Sequence, residues 1–434
     1  MIAKTPNIIV YLSHDTGRHI SPYGVTTVHT PAADRFAREG VVLENTFCTA
    51  PQCSPSRASL FTGRYPHSNG VMGLTHRDFA WDLNADEMHA ANYFRALGYE
   101  TASIGHLHEI RHPEQIGWDF FSEEQFSSRI PAVTQAWFDQ RRDQSKPFYL
   151  QISTFETHLP LETDGVQPDE EKGVTVPPYL QSGEATKRHF AALQGSVRRW
   201  DEGLGGLLDF LDRHGLTEDT LLVVTSDHGI AAPRAKLTLY DPGIEVITMI
   251  RWPGGGIAPG TRFSPLISNV DILPTMLEAA GALPPATCQG RSFLPLLRGE
   301  AYEPRQEIFA EKTFHNYYDP IRCVRTEDWK YIRNFENSPG VNLGEDSCYI
   351  RDELFENFDL FQEPQRHPAE ELYDLRTDPN ERKNLAGDPK AEPVRKEMAT
   401  RLARWMRETS DPLLNGPIAS PFFRRSIADL ERMK

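Results

Sequence analysis

Cysteine is scarce: five in 434 residues, at 48, 53, 288, 323 and 348, odd in number and without regular spacing. That excludes a disulfide framework and leaves the fold to its apolar core. No run approaches the ~20 apolar residues of a membrane span. The opening Met1-Ile2-Ala3-Lys4-Thr5-Pro6 lacks the apolar region of a signal peptide. The expectation is a soluble, cytoplasmic chain with no membrane partner. Basic residues are in deficit, 46 Lys and Arg against 61 Asp and Glu, for a formal charge of −15. Nucleic acid is thereby excluded as the expected partner, since it needs a basic stripe. Any anionic substrate has to be drawn by local cations. Repeats and low-complexity tracts are also lacking.

What the chain does have is a series of short apolar runs that each end in polar groups. Asn7 to Leu12 runs into Ser13-His14-Asp15, and Glu100 to Gly105 into His106-Leu107-His108. Phe148 to Thr154 runs into Glu156-Thr157-His158, and Thr220 to Thr225 into Ser226-Asp227-His228. Continuous apolar runs suit strands buried on both faces of a parallel sheet. Four such strands delivering His or Asp predict one site at the carboxyl edge of that sheet. Helices are expected from Pro31 to Arg38, Met88 to Leu97 and Glu184 to Arg213, each closed by glycine. A further strand is read at Val41–Phe47, and alternating strands and helices continue through Val246–Ile250 and Asn269–Ala280. After about Arg305 the pattern changes. Ile321 to Asn334 alternates like a hairpin turning near Glu327-Asp328. Glu336 to Pro368 reads as loop, Leu372 to Leu375 as a strand, Pro389 to Arg407 as a helix and Ser410 to Lys434 as an irregular tail. The expected fold class is therefore α/β, with a larger domain at 1–305 and a smaller antiparallel α+β domain at 306–434.

One stretch organises the rest: Cys53-Ser54-Pro55-Ser56-Arg57, continued by Ala58 to Thr62 and closed by Gly63-Arg64. Pro55 suits a first helical position, which places Cys53 just before a helix N-terminus, where an anion is welcome. By itself Cys53 reads as a small buried hydrophobe or as a low-pKa thiolate. Arg57 lies one helical turn on. Asp15 and Asp227, with His14 and His228, bring two carboxylates to one crevice, where they share a cation or repel. His14 reads equally well as a strand-end residue bonded to backbone. Pure oxygen ligation points to Ca²⁺ or Mg²⁺, and imidazoles shift the preference toward Mn²⁺ or Zn²⁺. Arg57, Lys236, His106, His108 and His158 are the candidate anion and proton handlers.

The C-x-P-S-R run and its T-G-R turn resemble the signature of the type I sulfatases, in the alkaline phosphatase superfamily. Pro6-Asn7-Ile8-Ile9, Gly105-His106-Leu107-His108, Ser226-Asp227-His228-Gly229, Lys236 to Tyr240 and Asp271-Ile272-Leu273-Pro274-Thr275 carry the same resemblance. Asn69 to Leu74, Tyr318 to Arg322 and Trp405 to Pro412 are most similar to the N-sulfoglucosamine sulfohydrolases, the heparan sulfamidases. The resemblance implies an alkaline phosphatase-like α/β/α sandwich and a small sulfated saccharide as substrate. It also implies a divalent metal, Ca²⁺ foremost, held by His14, Asp15, Asp227, His228 and position 53. A maturation enzyme is expected to oxidise Cys53 to Cα-formylglycine, whose hydrate attacks sulfur. Arg57 and Lys236 then hold the anion, His158 protonates the leaving atom and His108 acts as base. His14 and His106 depart from the family pattern, which carries Asp and Lys there. His315 in Thr313-Phe314-His315-Asn316 reads as a substrate contact or as a surface histidine. A sugar O-sulfatase, a phosphonate or phosphodiester hydrolase and a non-catalytic sugar-binding relative remain open, as does the state of assembly, a homodimer included.

Overall fold

The computed structural model describes residues 5–340 and 366–433, except 77, 142 and 144. Strand β1 (Asn7–Ser13) sits inside an eight-stranded sheet, and its side chains leave alternately for opposite faces. Ile9 and Tyr11 join an apolar cluster with Trp200, Leu204 and Leu208 of the Glu184–Arg213 helix. Ile8, Val10 and Leu12 join a second cluster with Phe61, Leu273 and Met276. Burial on both faces is why this strand, like β5 (Phe148–Ser153) and β6 (Thr220–Ser226), has no polar alternation.

The remaining strands of the sheet are β2 (Val41–Phe47), β3 (Glu100–Gly105), β4 (Phe120–Ser122), β7 (Thr248–Arg251) and β8 (Thr261–Ser268). Their order is β4-β3-β5-β1-β6-β7-β2-β8. β3, β5, β1 and β6 are consecutive neighbours and mutually parallel, so their carboxyl ends share one edge. The sheet is nevertheless mixed, because β7 runs antiparallel to both β6 and β2. A short buried run carries the same apolar signal in either direction, so sequence pattern does not reveal this reversal.

A second sheet is fully antiparallel: β9 (Ile308–Phe314), β10 (Tyr318–Arg325), β11 (Trp329–Asn334) and β12 (Glu370–Asp374), in the order β12-β11-β10-β9. The β10–β11 hairpin turns between Arg325 and Trp329, as its alternation leads one to expect. The Glu392–Glu408 helix packs on this sheet, with the Trp405 indole stacked on Phe309 at 4.8 Å between ring centres. The tail read as irregular instead contains a helix, Pro421–Arg432, capped by Ser420 Oγ, which accepts from Phe423 N at 3.1 Å. None of its residues is buried, so no core imprinted a period that the reading could follow. Most of the Glu336–Pro368 loop reading (341–365) lies outside the described residues. No described helix is long and apolar enough to cross a membrane.

Candidate active site

After helix α1 (Pro31–Glu39), Cys53 is the first residue of helix α2 (Cys53–Thr62), not the residue before it. Gln52 caps the helix in an extended conformation, and its carbonyl accepts from Ser56 N at 3.2 Å. Pro55 therefore takes the third position, which costs nothing because the first four N–H groups of a helix lack internal acceptors. The whole of α2 is buried. It ends at Gly63 (φ 67°), where a Cβ would lie 2.7 Å from Cys288 Sγ, so glycine alone fits.

The parallel strand ends bring the sequence-predicted residues together. β1 presents His14 and Asp15, β6 presents Asp227 and His228, and α2 lays Cys53 and Arg57 against them. His228 Nε2 lies 3.3 Å from Cys53 Sγ and 3.1 Å from Asp15 Oδ1, with Asp227 Oδ1 at 3.7 Å. His14 Nδ1 approaches Asp15 Oδ1 at 2.9 Å and Asp227 Oδ2 at 3.2 Å. Arg57 Nε donates to Asp227 Oδ2 at 2.9 Å and Nη1 to the His106 carbonyl at 3.0 Å. Lys236 Nζ donates to Asp15 Oδ2 at 2.7 Å. Asp15 holds its place in a left-handed conformation (φ 49°), a strained choice for a non-glycine residue.

Three histidines close the group. His158, after β5, stands with its ring 4.5 Å from that of His14. His106 and His108, after β3, lie 5.9 and 6.1 Å from the same ring. Gly105 (φ 112°) sets their course: a Cβ there would fall 1.9 Å from the Ser153 carbonyl oxygen of β5. His315 stands apart at the end of β9, in a cleft of about 440 Å³ with Phe79, Trp81, Tyr317 and Phe422. Gln52 links the two places, donating from Nε2 to the Phe314 carbonyl at 2.6 Å.

Burial would raise the Asp15 carboxyl, yet Lys236 and then His228 hold it well below the usual range. Burial opposes ionisation of Asp227 too, and His228, His14 and Arg57 overcome it. For His228 burial works downward, but the carboxylates of Asp227 and Asp15 win and raise its pKa well above the ordinary value. Burial lowers His14 well below that value, and takes His106, with help from Arg57, to about 4. Burial, then His106 and His14, lower His108 well below the imidazole norm. The two carboxylates thus face three nitrogen groups, those of Lys236, Arg57 and His228, in an otherwise acidic chain. Arg57 Nη2 has no hydrogen-bond partner among the described residues.

The donor set fits a divalent cation. Ligand atoms of His14, Asp15, Cys53, Asp227 and His228, all buried, lie within 4.8 Å of one another. His228 Nε2 stands where they converge, 3.3 Å from Cys53 Sγ and 3.1 Å from Asp15 Oδ1. His228 Nδ1 faces its neighbour's carbonyl, Gly229 O, at 2.9 Å, the outer contact that orients metal-binding histidines.

Sequence reasoning missed two residues. His76 Nδ1 lies 2.6 Å from His108 Nε2, and the buried Glu109 accepts from His108 N at 2.9 Å. Glu109 directly follows the predicted histidines, and adjacency was its available signal. His76 sits in the loop after Thr75, whose hydroxyl donates to the His108 carbonyl at 3.0 Å, and no local pattern marks it.

The sulfatase family model matches residues 6–282, and that of the C-terminal region of N-sulphoglucosamine sulphohydrolase matches 232–345. An ulvan-active sulfatase of Formosa agariphila is 30% identical, over 97% of this chain and 84% of its own. Human N-sulphoglucosamine sulphohydrolase is 27% identical, over 96% of this chain and 92% of its own. Among solved structures, a protein in complex with its substrate D-glucosamine-2-N,6-O-disulfate superimposes with a TM-score of 0.72 at 22% identity, covering 95% of this chain and 99% of that one. The phosphonate monoester hydrolase of Agrobacterium radiobacter gives 0.71 at 18%, covering 94% and 97%, which shows a shared fold. With the family model spanning more than half of the chain and relatives matched nearly end to end, this protein belongs to the sulfatase family and is an enzyme of that class.

Proposed function

We propose that this sulfatase hydrolyses a sulfated sugar, N-sulfoglucosamine of heparan-type glycans foremost, by a reaction centred on position 53. The observation that carries the reading is the placement of Cys53 at the start of α2, 3.3 Å from His228, with Arg57 one turn along and Asp15 and Asp227 behind. The match of residues 232–345 to the N-sulphoglucosamine sulphohydrolase C-terminal model supports the sulfamate. The ulvan-active relative, at a slightly higher identity, favours a carbohydrate O-sulfate as the second reading.

Asp15, Asp227, His228 and an oxygen at position 53 would hold the divalent ion, with His14 Nδ1 against both carboxylates. When present, that ion and the formylglycine made from Cys53 supply an ionisable hydroxyl as nucleophile. Arg57 presents its unpartnered Nη2 to a sulfuryl oxygen, where donors placed in advance stabilise growing charge. Lys236 anchors Asp15 and turns its other N–H bonds to the anion. His106 borders the same anion through a neutral imidazole. His158 delivers a proton to the leaving nitrogen or oxygen, and His108, kept neutral by burial, accepts one when sulfate is expelled. His315 and the cleft beside it receive the sugar, so residues 306–434 complete a pocket begun by residues 1–305. Sulfate release from N-sulfoglucosamine, from sugar 6-O-sulfates and from a phosphodiester tests the assignment. The reading predicts the highest kcat/KM on the sulfamate. Turnover confined to the phosphodiester would overturn it.

A further inference from the structure

We infer that His14, His106 and His108 form a second metal site, for a borderline transition-metal ion of the zinc class, beside the carboxylate-rich one. One ring nitrogen from each lies within 4.8 Å of the others. The corresponding spacing in a tetrahedral zinc site is about 3.3 Å, given Zn–N bonds of about 2.0–2.1 Å. Closing on an ion therefore requires the three rings to move toward one another.

Hydrogen bonding has already arranged the lone pairs. His14 Nδ1 faces the carboxylates of Asp15 and Asp227 at 2.9 and 3.2 Å, so the N–H belongs there and Nε2 carries the lone pair. This is the carboxylate–histidine pairing that orients a metal-binding imidazole and makes it more basic. His108 repeats the arrangement with a different partner. Its Nε2 lies 2.6 Å from His76 Nδ1, and Nδ1 is buried with no hydrogen-bond partner among the described residues. A donated Nε2–H leaves that buried Nδ1 lone pair unspent, a cost that a bound cation removes. His106 ends β3 two residues before His108 and completes the trio, its ring 4.8 Å from the His108 ring.

Three imidazoles with one open position make a donor set that zinc accepts and calcium does not. Asp15 and Asp227 border His14 and Glu109 accepts from the His108 N–H, three carboxylates that stand against Arg57, Lys236 and His228. An ion held there occupies the lone pair that the proposed proton transfer at His108 uses, so binding and turnover exclude each other. That consequence rests on the reading above, whereas the site itself does not.

The test uses the full chain with its carboxylate-rich site kept filled by excess calcium, which three imidazoles do not hold, and titrates it with zinc without substrate. Zinc affinity should fall at least about tenfold in His106→Gln and in His108→Gln, the loss that removing even an outer partner of a ligand produces. His158→Gln, which alters a neighbouring ring outside the trio, should keep it. X-ray absorption of the parent protein with one equivalent of zinc should show three imidazole nitrogens. That measurement decides the matter even if His108→Gln does not fold. Unchanged affinity in His106→Gln, or a carboxylate-dominated shell with one imidazole, would overturn the inference and leave the sulfatase assignment untouched.

Discussion

Lys236 Nζ and Asp15 Oδ2 meet at 2.7 Å across 221 positions of chain, both side chains almost wholly out of solvent. The pair fastens the loop after β6 to the end of β1. Lys236→Met should destabilise the metal-free protein by about 1–3 kcal/mol, since Asp15 Oδ2 loses its donor in the interior while Oδ1 keeps His14 and His228. Urea unfolding of both proteins measures this, and a change within ~0.5 kcal/mol would show that Asp15 does not need the lysine.

Arg57→Lys keeps the charge and loses the fork. Nε reaches Asp227 and Nη1 the His106 carbonyl, while Nη2 stays available. An ammonium cannot serve all three directions. Steady-state kinetics on the best sulfated sugar should show kcat/KM lower by about 10²–10³, the loss expected from removing one charge-stabilising donor. Parental kinetics would remove Arg57 from the reaction.

Asp201 predicts a pH effect away from the site. Burial lifts its pKa to about 7, against the pull of the Ala32 and Ala33 N–H groups at the start of the Pro31–Glu39 helix. The folded state therefore holds this proton more tightly than the unfolded chain, whose carboxyl titrates near 3.9. Its contribution to stability is full below about pH 4 and declines until about pH 7, by up to ~4 kcal/mol. Denaturant unfolding at pH 5 and pH 8 should show a smaller difference for Asp201→Asn than for the parent. An equal difference contradicts the assignment.

Gly105→Ala should cost more than about 1 kcal/mol, because φ is 112° and the new methyl would meet the Ser153 carbonyl. A lower thermal midpoint together with reduced turnover is expected, since this glycine steers both His106 and His108. An unchanged midpoint would mean that the backbone relaxes freely.

Much of this arrangement was legible in the sequence, for reasons specific to each element. Asn7–Leu12 announces its strand because Ile8, Val10 and Leu12 serve one core face while Ile9 and Tyr11 serve the other. The residues after it are therefore placed at the sheet edge. Glu184–Arg213 was readable to the residue, since a long amphipathic period averages over local noise. The direction of β7 was not readable, because burial on both faces looks alike for parallel and antiparallel strands. The Pro421–Arg432 helix was overlooked for want of a buried face, although Ser420 and Pro421 spell a helix start. His76 was out of reach because the partner that gives it meaning, His108, lies 32 positions on.

The account depends on position 53 being an oxidised, reacting side chain, and intact and peptide mass spectrometry of the active enzyme from its native host tests that most directly. The account predicts a peptide spanning residue 53 that is about 18 Da lighter than its thiol form, with sulfate release rising in proportion to the converted fraction. Full turnover by protein whose Cys53 is entirely thiol, or by Cys53→Ala, would contradict it.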